Sequence, residues 1–199
     1  DVSKHQGRIE WSSVKKDGIS FAFIRAGNRG YGTGLVVEDP TFEYNVVNAH
    51  NNNIKIGTYF FSQAINEREA EEEAQRVINM ITLNPNILGK VTLPIAFDTE
   101  YSHEVNDGRA DYLSKNDRTK VARAFINYLR DRGYSTMIYA SKSFLYNNLD
   151  MNSLSDVDVW LAHYTTTTNP MEHPSDYTGI YKVWQYTSKG RVSGIQGNV

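Results

Sequence analysis

The chain has 199 residues, enough for one domain and few for two, and its 40% hydrophobic and 22% charged residues exclude the disordered, collagenous and low-complexity classes. Lys and Arg number 21 against 23 Asp and Glu, a formal charge of −2, so no broad positive field serves nucleic acid or an anionic membrane surface. The absence of Cys removes disulfides, thiolate metal sites, iron–sulfur clusters and Cys nucleophiles.

In chain order, the segment through Trp11 and Val14 reads as a short helix stopped at Gly18. Apolar runs rich in β-branched and aromatic residues cover 21–26, 54–61, 91–97, 136–140, 157–162 and 181–186. Continuous rather than alternating apolarity suits strands covered on both faces. Between them lie helical patterns. Asp39-Pro40 reads as an N-cap with Pro at the first helical position, followed by Phe42, Val46 and Ala49 on one face. Asn66 with Glu69 resembles a capping box, ahead of a stripe of Ala70, Ala74, Val77, Ile78 and Ile81. Ser114 opens a helix whose stripe is Val121, Phe125, Tyr128 and Leu129, with Gly133 as its stop. Gly27, Gly30, Gly32 and Gly34 read as a mobile lip after the first strand, with neither P-loop nor dinucleotide spacing.

Alternating strands and helices predict parallel βαβ units, and the helical signal fades after about residue 150. The expectation is an α/β barrel or sheet, one domain over 1–199, whose last third lacks full helices. No apolar run approaches the roughly 20 residues of a membrane helix. No signal peptide is visible, and a start at Asp1 rather than Met reads as trimming, which we expect at both ends.

The sharpest chemical feature is Leu93-Pro94-Ile95-Ala96-Phe97-Asp98-Thr99-Glu100, two acids closing an apolar strand. Strand alternation points both to one face, with Cα atoms roughly 6.5–7 Å apart at about 3.3 Å per residue. Two close, partly desolvated carboxylates resist double ionisation, so one stays protonated beside an anion, as glycosidic cleavage requires. The competing readings are a cap on the next helix or a cation ligand. Other chemistries find less support. There is no H-E-x-x-H and no G-x-S-x-G elbow, and His103 beside Glu104 reads as a solvated loop histidine rather than a metal ligand. We expect no metal and no cofactor. Arg25, a charge within an apolar strand, needs an acid partner.

Several motifs, in order, resemble the family-25 glycoside hydrolases, the Chalaropsis-type lysozymes. They are Asp1-Val2-Ser3-Lys4-His5-Gln6-Gly7, Phe23-Ile24-Arg25-Ala26-Gly27, Gly57-Thr58-Tyr59-Phe60-Phe61 and Phe97-Asp98-Thr99-Glu100. Ile138-Tyr139-Ala140-Ser141, Val159-Trp160-Leu161-Ala162-His163-Tyr164, Val183-Trp184-Gln185-Tyr186-Thr187-Ser188 and the tail 192–199 complete the set, which spans nearly the whole chain.

The resemblance implies an irregular TIM-like (β/α)5β3 barrel and cleavage of the β-1,4 bond between N-acetylmuramic acid and N-acetylglucosamine in bacterial cell-wall peptidoglycan. Its four acidic positions fall on Asp1, Asp98, Glu100 and a residue directly after Val199. Glu100 is then the general acid, expected to hold its proton above the ordinary Glu value of about 4.3. Asp98 orients a substrate acetamido group and stabilises developing positive charge. Asp1 supports Asp98 or the oxocarbenium-like centre, against a purely structural role. Tyr59, Tyr139, Trp160 and Tyr164 are the favoured sugar contacts, with Phe61 beside them and Trp184 and Gln185 as secondary candidates. Core packing competes for each aromatic. The implied protein is a monomeric, secreted or wall-delivered module with no nucleic-acid partner and no membrane insertion. A non-catalytic glycan-binding module and a chitinase-like D-x-E glycosidase are the alternatives.

Overall fold

The computed structural model describes residues 1–102, 108–166 and 169–199. A 3-10 turn, Lys4–Gln6, and helix α1, Trp11–Lys16, lead into strand β1, Phe21–Arg29. There follow β2 Val36–Glu38, α2 Phe42–Asn51, β3 Lys55–Phe61, α3 Glu67–Thr82, β4 Val91–Asp98, α4 Lys115–Arg130, β5 Thr136–Ser141, α5 Lys142–Asn147, β6 Asp158–Ala162 and β7 Val183–Gln185. The strands form one curled sheet in the order β2-β1-β3-β4-β5-β6-β7, parallel except for β2. The fold is a mixed α/β half-barrel, and among the described residues the chain after α5 carries strands without helices, in line with the helical signal fading after about residue 150.

Local signals account for most boundaries. Asn66 Oδ1 caps α3 by accepting from Glu69 N at 3.0 Å. The returning half of the box is displaced by one residue, since the Glu69 carboxylate takes Ile65 N instead. Ser114 Oγ caps α4 through Asp117 N at 3.1 Å, and Gly133 ends it at φ +84°, a conformation that suits glycine.

Three expectations change. The helix after residue 39 starts two residues later than the Asp-Pro dipeptide suggests, at Phe42, with Thr41 in the cap position. Asp39 is instead buried, held by Thr41, Lys4 and Arg25. The glycine segment is only partly a loop, because β1 runs on to Arg29 and Gly27 pairs with Glu38 of β2, which leaves Gly30, Gly32 and Gly34 in the connecting turn. A Cβ on Gly27 would stand 2.4 Å from the Val37 carbonyl oxygen, so the hairpin needs a bare backbone there. Finally, α5 fills a stretch with no helical stripe, started by Ser141 Oγ accepting from Phe144 N.

Strand alternation divides the interior into two layers. Ile24, Ile56, Phe60, Ile95, Phe97, Ile138 and Leu161 face the helices, where Phe97 meets Phe125 of α4 at 5.1 Å between centroids. The opposite, concave face carries a separate cluster of Phe23, Tyr59, Ala96, Met137, Tyr139, Trp160 and Ala162. Trp160 is its centre, stacked on Phe23 at 4.4 Å and meeting Tyr139 at 4.6 Å and Tyr59 at 6.0 Å. The start of the chain joins the two margins of the sheet. Val2 pairs with β1, donating to Phe23 O and accepting from Arg25 N, both at 2.9 Å, while Asp1 takes a hydrogen bond from Gln185 of β7.

Gly57 lies directly beneath Phe23, and an added Cβ would fall 2.4 Å from the ring. Gly57→Ala therefore pushes Phe23 off Trp160 and costs about 1–3 kcal/mol of overpacking. Thermal unfolding is expected to show a lower Tm by several degrees, and an unchanged Tm would contradict this packing account.

Candidate active site

The parallel register delivers one row of side chains to the end of the sheet. Phe61 pairs with Asp98, Asp98 with Tyr139, Tyr139 with Trp160 and Trp160 with Val183. That row borders a cavity of about 500 Å3. Asp1, Asp98, Glu100, Tyr59, Phe61, Tyr139 and Trp160 all line it, so seven of the ten residues picked out from sequence converge. Arg25, Ser3 and Gln6 add polar lining.

Of the other three, Tyr164 and Trp184 part company with them. Tyr164 lines an adjoining cavity that shares Glu100 and Tyr139 with the first. Trp184 pairs with Leu161, which turns its ring to the helix-facing layer. There its indole N–H donates to His163 O at 3.0 Å, between the rings of Tyr181 and Tyr186. On a strand, residues 184 and 185 must face opposite ways, so the inward position belongs to Gln185.

Gln185 proves to be the hub. Its amide oxygen accepts from Tyr139 Oη at 2.8 Å and Tyr164 Oη at 3.0 Å, and its Nε2 donates to Asp1 Oδ2 at 2.6 Å. Two ring positions and one acid are thereby fixed through a single side chain. The sequence reading ranks it only as a secondary candidate beside Trp184, on a strand of three residues.

Electrostatics single out Asp98, which is 3% exposed and has no hydrogen-bond partner for its Oδ1. Burial pushes its carboxyl well above the ordinary 3.8, the charge of Glu100 pushes further in the same direction, and Arg25 opposes both. Asp98 is the deeper of the two acids. Arg25 restrains the shift only in part, because it bonds Asp39 at 2.8–2.9 Å, the acid partner its strand position demanded. Burial would raise Asp39, but the Thr41 hydroxyl, the Lys4 and Thr41 amides and Arg25 together hold it below its usual value. Burial also raises both Tyr59 and Tyr139, assisted by Asp98 for Tyr59 and by Glu100 and then Asp98 for Tyr139. Both phenols therefore stay neutral and able to donate.

Among the described residues no cluster of three His, Asp or Glu side chains could hold a metal ion. His103 and Glu104 lie outside the described residues. Nor, among the described residues, is any helix long and apolar enough to cross a membrane.

Comparison with known proteins decides the family, for a profile of the glycosyl hydrolases family 25 matches residues 1–195. The chain belongs to glycosyl hydrolases family 25. Among curated family-25 relatives, the autolytic lysozyme of Clostridium acetobutylicum is 26% identical over 199 residues, covering all of this chain and 52% of that protein. Lysozyme M1 of Streptomyces globisporus is 27% identical over 214 residues, covering all of this chain and 64% of that protein. This family-25 chain thus spans about half to two thirds of the length of these relatives. Its fold superposes on the modular autolysin LytC of Streptococcus pneumoniae, solved with a synthetic peptidoglycan ligand, with a TM-score of 0.80 at 26% identity. That match covers all of this chain and 44% of LytC.

The raised value of Asp98 has a consequence for stability. An acid whose folded pKa exceeds its unfolded value binds protons more tightly when folded, so stability falls as pH rises above about 3.8. Asp98→Asn removes that charge. It should raise Tm little near pH 4 and by several degrees at pH 7–8, consistent with about 1–3 kcal/mol for an unsatisfied buried group. A Tm difference independent of pH would contradict the burial account.

Proposed function

We propose that residues 1–199 form the single catalytic domain of a peptidoglycan muramidase, a lysozyme cleaving the β-1,4 bond between N-acetylmuramic acid and N-acetylglucosamine. The observation that carries this reading is the pair Asp98 and Glu100 in one cavity with Tyr59, Tyr139 and Trp160, in a chain of family 25. The finer fold reading is (β/α)5β3. Its support is five strand–helix units, Val2 with α1, then β1, β3, β4 and β5 with α2, α3, α4 and α5, followed by β6 and β7 as two of the three helix-free strands.

In the proposed mechanism Glu100 gives its proton to the glycosidic oxygen as the bond from that oxygen to C1 breaks. The carbonyl oxygen of the substrate's own 2-acetamido group forms the new bond to C1, giving a cyclic oxazolinium ion. Asp98 faces the acetamido N–H and offsets the positive charge. Water then adds to C1 as the bond from C1 to the acetamido oxygen breaks and the amide is regenerated; the water gives its proton to the Glu100 carboxylate, restoring the starting state with retention of configuration. Substrate assistance of this kind needs no second carboxylate nucleophile. Asp1, held by Gln185, supports the charge at C1, and the tyrosines and Trp160 hold the sugars. The partner is cell-wall peptidoglycan, and the site of action is the wall, reached by secretion or release. We read the domain as monomeric.

Glu100→Gln should fold normally and lose about 10²–10⁴-fold of the lytic rate, the usual contribution of a general acid. Turbidity loss of bacterial walls reads the rate, and a variant keeping more than roughly a tenth of wild-type activity would remove Glu100 from its role. A parallel assay on chitin oligomers separates a muramidase from a chitinase-like enzyme, and inactivity on both would leave a glycan-binding module.

The mechanism also fixes stereochemistry. NMR of the freshly released reducing end is expected to show the retained β anomer, and substrates without the 2-acetamido group should resist cleavage. An inverted product would exclude acetamido assistance.

A further inference from the structure

The backbone that carries Glu100 is leaving the sheet, and it is fixed on both sides of that residue. Upstream, Thr99 N donates to Tyr139 O at 3.1 Å, which extends the β4–β5 ladder by one residue. Downstream, the buried Ser102 is bound by Asp111, which lies outside the lining of the catalytic cavity. Ser102 N donates to Asp111 Oδ1 at 3.1 Å, and Ser102 Oγ donates to Asp111 Oδ2 at 2.7 Å. Gly108 N adds a bond to the same Oδ2 at 3.0 Å. Hydrogen bonds to a carboxylate are roughly twice as strong as those between neutral groups.

A clamp holds only if its own base is fixed. Asp111 N donates to Gly108 O at 2.9 Å, folding 108–111 into a turn. Three side chains from elsewhere in the fold grip that turn. Gln63, just past β3, accepts from Ala110 N at 3.2 Å, and the buried Arg118 of α4 donates to Ala110 O at 2.5 Å. Glu69 of α3 takes a bidentate pair of bonds from Arg109, at 2.7 and 2.9 Å. Gly108 fits because it is bare: a Cβ there would stand 2.6 Å from Ser102 Oγ and 2.7 Å from Gln63 Oε1.

We propose that Asp111 is a positioning residue for the general acid, acting through Ser102 to set where Glu100 stands relative to Asp98 and the glycosidic oxygen. The inference rests on the muramidase reading and adds to it a residue outside the cavity. A misplacement of about 1 Å in a reacting group costs up to about 10²-fold in rate, so a charged anchor two residues beyond Glu100 has a large lever on the chemistry. Glu100 interacts electrostatically with Asp98, Tyr139 and Tyr164. Release of Ser102 lets it drift from the neighbouring anion towards solvent.

The test compares wild type, Asp111→Ala, Asp111→Asn, Ser102→Ala and the Asp111→Ala/Ser102→Ala double variant on soluble peptidoglycan fragments, well below each Tm. Asp111→Ala should lower kcat about 10- to 100-fold and leave KM within about twofold of wild type. Asp111→Asn keeps one acceptor oxygen and should lose less. In both, the upper limb of the pH–rate profile should move to lower pH, because Glu100 stands farther from the Asp98 charge. Adding Ser102→Ala to Asp111→Ala should change kcat by less than about twofold, since the two groups act through one contact. A purely structural Asp111 would lower Tm while kcat and the upper limb stay at wild-type values. That result, a loss confined to KM, or additive losses in the double variant would overturn the assignment and leave the muramidase reading in place. If Asp111→Ala does not fold, Asp111→Asn and Ser102→Ala decide by the same kcat and pH readouts. A wild type inactive on these fragments would overturn the muramidase reading and this assignment with it.

Discussion

Asp98 is held where ionising an acid is costly, and much of the site follows from that. Its carboxyl closes a strand buried on both faces, beside a second acid, with one oxygen unpartnered. Among the described residues the cation opposing its shift is Arg25, which is also bonded to Asp39. Were Arg25 free to pair fully with Asp98, the carboxylate would be an ordinary ion-paired anion with a lowered pKa. Asp39 prevents this by holding Arg25 through a bond to each of two guanidinium nitrogens. The result is a pair of acids in which one proton is retained at a pH where isolated carboxylates have lost theirs.

Such an arrangement requires a rigid frame, because an unpaired buried acid would otherwise draw water or move outward. Trp160 supplies the frame's centre, with Phe23, Tyr59 and Tyr139 packed around it. Gly57 makes room for Phe23, and Gln185 ties Tyr139 and Tyr164 to Asp1. The same Asp1 is followed by Val2, which hydrogen-bonds β1. Thus one short segment links the last strand to the first just where the acids lie.

The strand–helix order, the two layers and the acid pair were legible in the sequence because each depends on local pattern. Apolar runs mark strands, capping residues mark α3 and α4, and the D-x-E at a strand end marks chemistry. What escaped depends on tertiary partners. Asp39 next to Pro40 carries a local helix-start signal, while its real role is set by Arg25 fourteen residues away. Gln185 was named but ranked no higher than Trp184, because it lies on a strand of three residues, too short to show which of the two faces inward. The hairpin of β1 and β2 hid behind glycines that read as flexibility, although Gly27 is there because two backbones meet closely.

The pH–rate profile of wild type beside Asp98→Asn tests the coupling of the two acids most directly. In the wild type the upper limb reports the last proton leaving the pair. Replacing Asp98 with a neutral amide removes the adjacent negative charge, so Glu100 alone should lose its proton more easily. The account predicts an upper limb displaced to lower pH in the residual activity of Asp98→Asn. An upper limb at the wild-type position would show that desolvation alone sets the titration, and would contradict the coupled pair.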